Sequence, residues 1–138
     1  MRSSIVVDTG PIVAFLNRQD QFNAVADGYF ASLPKPFLTC EVVLCECFYI
    51  LGKEPKVRLA LLEQISDGLL SINFSLGDEV SSVQNLLDKY RDVPMSLADA
   101  CLVRMSEIFD APIFTFDSDF RVYHRNRRSV IPLIGIEN

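Results

Sequence analysis

Carboxylates interrupt four stretches that are otherwise apolar: Asp8 after IVV, Glu46 inside VVLCECFYIL, Asp99 in SLADACLV and Asp117 in IFTFDSDF. A carboxylate buried without a partner costs several kcal/mol, so a fold keeps one in such a place only where something cationic meets it. Asp8 and Asp117 follow predicted strands, and Glu46 and Asp99 lie in predicted helices. Elements packed so that all four converge would form one acidic cavity, a site for a hard metal ion and for phosphodiester chemistry.

The order of elements says how such convergence arises. Residues 4–7 read as a short buried strand ending at Asp8, and Thr9-Gly10-Pro11 turns the chain into a short helix through IVAFLN. Asp20 is placed to cap a helix over 21–33, where Phe22, Val25, Ala26, Tyr29, Phe30 and Leu33 recur at helical spacing. A second strand covers 37–39. Residues 41–51 are nearly all apolar and fit strand or helix, but their length favours a buried helix closed by Gly52 and Pro55. A helix from Lys56 to Gly68 brings Leu59, Leu62, Ile65 and Leu69 near one face. A strand over 69–74, an amphipathic helix over 78–90, a helix opened by Pro94 and Ser96, and strands over 111–116 and 130–136 complete the chain. Strands alternating with helices predict a three-layer α/β/α domain over 1–138. Its sheet is mainly parallel with about five strands, and its site lies beyond their carboxyl ends.

Composition narrows the class. Hydrophobic residues make up 49% of 138, which excludes disorder for most of the chain. No apolar run approaches the ~20 residues of a membrane span, and the N-terminus does not read as a signal peptide. The expectation is a soluble cytoplasmic protein. Cys40, Cys45, Cys47 and Cys101 form no C-x-x-C pair and read as small hydrophobes. A net charge of −5 argues against a protein that grips nucleic acid through its overall field. Positive charge is local: RVYHRNRR at 121–128 holds Arg121, Arg125, Arg127, Arg128 and the only histidine, His124. This run reads either as a solvated loop or as a phosphate-contacting rim.

Each acid also has a plain structural account. Asp8 suits a helix N-terminus through the dipole. Ser96 and Asp99 stand three apart at a helix start, as in a reciprocal capping box. Asp117 and Asp119 suit a turn, although a DxD at a strand end also offers oxygen donors to a hard cation. Glu46 is the hardest to explain this way, because its helix leaves little room for a wet face.

Together, IVVDTGPIVAFLN, TCEVVLCECFYIL, PMSLADACLVRMSE and IFTFDSDF resemble the PIN domain, the fold of many prokaryotic toxin ribonucleases of the VapC type. The resemblance spans essentially the whole chain. It implies a parallel sheet between helices and a pocket that binds Mg2+ or Mn2+. Asp8, Glu46, Asp99 and Asp117 are then the catalytic acids and metal ligands, Asp119 is an auxiliary ligand, and Thr9 and Ser96 are polar supports. It further implies cleavage of RNA to a 5′ phosphate and a 3′ hydroxyl, an antitoxin partner, and a homodimer supported by the apolar helices at 21–33 and 41–51. Asn23 stands where many VapC-like chains carry histidine. Two rivals stay open: a PIN module that only binds RNA or protein, and an aspartyl-phosphate phosphatase. The second needs its DxD on an early strand and a lysine afterwards, whereas this DxD is late.

Overall fold

The computed structural model describes residues 4–136. Five short apolar segments form a parallel sheet: β1 (Ile5–Val7), β2 (Phe37–Thr39), β3 (Leu70–Ile72), β4 (Ile113–Phe114) and β7 (Leu133–Ile134). Their order is β3-β2-β1-β4-β7. β1 is central and wholly buried, with Val6 opposite Leu38 on one side and Ile113 on the other. From β1 the chain builds outward to β2 and β3, and then returns to the far side of β1 for β4 and β7. The reversal leaves a crevice beyond the carboxyl ends of β1 and β4.

Six helices flank the sheet: α1 (Thr9–Leu16), α2 (Asn23–Ser32), α3 (Glu41–Leu51), α4 (Pro55–Ser66), α5 (Val80–Lys89) and α6 (Leu97–Phe109). Local signals set their ends. Asp8 caps α1 through the Thr9 amide, Pro55 opens α4, and Gly52 closes α3 at φ 73°. Ser96 and Asp99 form a complete capping box on α6. The Asp20 carboxylate accepts from the Phe22 amide (2.8 Å), so it caps the turn that leads into α2. Asn23 ties α2 to α1, its side-chain amide donating to the Ala14 carbonyl at 2.7 Å.

The core is aromatic at its centre. Phe30, Phe37 and Phe114 meet with ring centroids 4.8 to 6.2 Å apart. Each fully buried ring contributes about 1.5–3 kcal/mol by leaving water. α6 is the most enclosed helix, with Ala98, Ala100, Cys101, Leu102, Val103 and Met105 buried.

Three expectations are corrected. Residues 130–136 are not one strand. Pro132, which has no N–H to donate, separates β6 (Ser129–Val130) from β7, and β6 pairs antiparallel with β5 (His124–Arg125). The basic run is therefore mostly a hairpin, with Asn126 and Arg127 at positive φ in its turn. On α4, Leu59 and Leu62 are 61% and 47% exposed while Leu61 is fully buried, so the inward face is not the one that the leucine spacing suggests. The strands are also shorter than the apolar runs that contain them.

One glycine is required where β7 ends. Gly135 has φ 98°, and a Cβ there would stand 2.5 Å from the Thr115 carbonyl oxygen. Its lack of a side chain lets β7 lie close against the segment that carries Thr115 and Asp117.

Candidate active site

The crevice opens into a cavity of about 400 Å³ whose lining includes Asp8, Glu46, Asp99 and Asp117. These four acids arrive from β1, α3, α6 and the end of β4. Asp20 adds a fifth carboxylate from the loop before α2, and no lysine or arginine is among the lining residues.

Threonines organise the floor. The Thr9 amide donates to Asp8 Oδ1 (2.7 Å), and its hydroxyl donates to Glu46 Oε1 (2.9 Å), linking the start of α1 to α3. Thr115, fully buried, donates to Asp8 Oδ2 (2.8 Å) and accepts from the Asp117 amide (3.0 Å). Thr115 thus couples the two strand ends that carry acids. Asp99 Oδ2 accepts from the Ser96 amide (3.1 Å) and lies 3.3 Å from the Tyr123 hydroxyl, which itself donates to the Pro94 carbonyl.

Electrostatics show that these acids feel one another. Burial pushes the Asp8 carboxyl up to about 6, and the charges of Asp99 and Asp117 push the same way against hydrogen bonds from Thr115 and Thr9. Asp99 is also raised, first by burial, with Asp117 contributing. Behind them, Cys47 is buried and its thiol is raised to about 12 by desolvation and by Asp8 and Glu46. It stays protonated, so the donors facing the cavity are oxygens.

This donor set fits a divalent cation in its chemistry: several carboxylates from separate elements, mutually repulsive, with no basic side chain among them. Among the described residues, no three His, Cys, Asp or Glu side chains already stand close enough to hold an ion. The missing lysine is equally informative, because phosphoaspartyl chemistry relies on one.

The remaining sequence candidates are placed less centrally. Asp119 is exposed outside the cavity lining, and its amide donates to Asp117 Oδ1 (2.9 Å). Ser96 caps α6 and orients Asp99 without lining the cavity. Arg125 is turned inward, donating to the Ser106 carbonyl (2.8 Å) and pairing with Asp110 (2.9 Å) at the end of α6. It fastens the hairpin to the body of the protein. Arg121, Arg127 and Arg128 are exposed.

Sequence reasoning missed Thr115, Tyr123, Asp20 and the two phenylalanines at the cavity, Phe22 and Phe116. A signal existed for Thr115: it stands two residues from both Ile113 and Asp117, the spacing that puts strand residues on one face. Tyr123 had none, since it reaches Asp99 only because the hairpin folds back.

Comparisons with known proteins agree with this geometry. The crystal structure of Mycobacterium tuberculosis VapC20, a sarcin-ricin loop cleaving toxin, superposes with a TM-score of 0.76. The two chains are 22% identical, and the match covers 86% of this chain and 93% of that one, so the likeness is one of fold. A search of curated protein sequences gave no match. No helix among the described residues is long and apolar enough to cross a membrane. A model of the PIN domain matches residues 5–126, and the chain belongs to the PIN-domain family.

Proposed function

We propose that this protein is a Mg2+- or Mn2+-dependent ribonuclease, the toxin of a toxin–antitoxin pair, acting on RNA in the cytoplasm. The observation that carries this is the single cavity lined by Asp8, Glu46, Asp99 and Asp117 with no cationic side chain. The acids would hold a divalent cation, which would lower the pKa of a bound water and offset charge on the phosphate. Asp8 and Asp99 would be its principal ligands, with Glu46, Asp117 and, at the margin, Asp119 supplying further oxygens. Thr9 holds Glu46, Thr115 holds Asp8, and the Ser96 amide holds Asp99, so three of the four acids enter the site already hydrogen-bonded.

Exposed Arg127 and Arg128, with Arg121, are proposed to meet phosphates flanking the cut. Support for a toxin role comes from family membership together with the VapC20 fold match. An antitoxin is expected to place a basic side chain against the acids. Growth arrest on expression, relieved by a partner encoded beside the gene, is the outcome that supports the pairing.

Replacing Asp99 with Asn keeps shape and removes charge. Cleavage of RNA in Mg2+ is expected to fall by at least about a hundredfold, with circular dichroism unchanged and EDTA abolishing the parent activity. Turnover equal to that of the parent would remove the nuclease reading. In an RNA-binding titration, R127A/R128A is expected to flatten the dependence of log affinity on log salt by about 1.4 units.

A further inference from the structure

Phe22 and Phe116 border the same cavity as the acids. Their rings stack, with centroids 5.1 Å apart and planes 30° from parallel. Phe116 in turn stands edge-on to the fully buried Phe114, at 5.6 Å and 90°. The series begins in the aromatic core and ends at Phe22, which is 42% exposed. One face of Phe22 rests on Phe116, and the residue lines the cavity while staying partly open to solvent. The Asp20 carboxylate fixes the backbone here by accepting from the Phe22 amide.

A partly open aromatic ring lining the same cavity as the acids offers an apolar face next to the place where a phosphate would sit. We propose that Phe22, backed by Phe116, is a stacking platform for a nucleobase next to the scissile phosphate. This rests on the nuclease reading given above. Every nucleobase has an apolar face, and aromatic side chains hold single-stranded bases by stacking on it. A base within a duplex has both faces covered by its neighbours. The platform therefore takes an unpaired or splayed-out nucleotide. A nucleobase is favoured over a protein side chain because Phe22 lines the same cavity as the acids.

The chain has no tryptophan, so F22W supplies a single indole reporter at the platform. It is titrated, with Ca2+ replacing Mg2+ to slow turnover, against an oligouridylate and against a base-free ribose-phosphate oligomer of equal length. Saturable quenching by the oligouridylate and little by the base-free oligomer is the expected result. In the otherwise unaltered protein, F22L keeps apolar bulk and loses the π face. Its KM for single-stranded RNA is expected to rise about tenfold with kcat within about twofold, and F22Y is expected to restore it. Unchanged melting of F22L separates this from a folding defect. Equal quenching by both oligomers, no quenching, or an unchanged KM in F22L overturns the platform. So does an aromatic requirement confined to binding a protein partner. Mg2+-dependent cleavage without quenching rejects the platform alone. Quenching without cleavage by the parent rejects the nuclease reading and keeps the base-binding surface.

Discussion

Asp8 receives two hydrogen bonds, yet its carboxyl is held up at about 6 because burial outweighs both donors. Unfolded, the same group titrates near 3.8. Between those values the native carboxyl keeps a proton that the unfolded one has released, so raising the pH through this window weakens the fold. Above about 6 the full cost applies, on the order of 3 kcal/mol in the metal-free protein. Asp8→Asn removes that ionisation. In EDTA at pH 7.5 it is expected to melt higher than the parent, with the advantage gone below about pH 3.8, as scanning calorimetry across pH would show. Mg2+ is expected to raise the parent's melting temperature and leave that of the variant unmoved. A parent that melts at or above the variant in EDTA would count against burial as the cause of the shift. Asp8 was legible in the sequence because it ends an apolar strand. Its dependence on Thr115 was not, since 107 residues separate the two and nothing local records the contact.

Elements here are short and rely on one another. β4 and β7 contribute two residues each to the sheet, and Gly135 lets them close up beneath Asp117. Gly135→Ala must open the contact with the Thr115 carbonyl or distort a backbone held at positive φ. A loss of about 1–3 kcal/mol in urea unfolding is expected, with a parallel fall in activity as Thr115 moves. Full retention of both would show that β7 can shift without disturbing the site. Helix caps were readable, as Ser96 with Asp99 and Gly52 show, because capping chemistry is local. The break at Pro132 was hidden within an apolar run, and the inward face of α4 was set by α1 and α3 packing against it rather than by its own leucine spacing.

Across the whole molecule, the exposed apolar side chains include a group on two neighbouring helices. Tyr49 and Ile50 of α3 are 87% and 57% exposed, and Leu59 and Leu62 of α4 are also open. The helix at 41–51 was expected from the family resemblance to support a homodimer, but its period alone could not say which apolar residues face outward, and the share of α4 was not foreseen. We propose that a second copy of the chain covers it. Sedimentation is expected to give a dimer at micromolar concentration and a monomer for Tyr49→Glu, with a monomeric parent discarding the idea. The layout of the sheet carries a further consequence for synthesis. Val6 pairs with Ile113, and Asp8 is braced by Thr115, so the first strand waits for the last quarter of the chain before its acid is held in place. A growing polypeptide still on the ribosome has Asp8, Glu46 and Asp99 but no completed pocket. Under the proposed function, a chain truncated before Ile113 is expected to have no activity on RNA, because neither the β4 pairing nor the Thr115 brace can form.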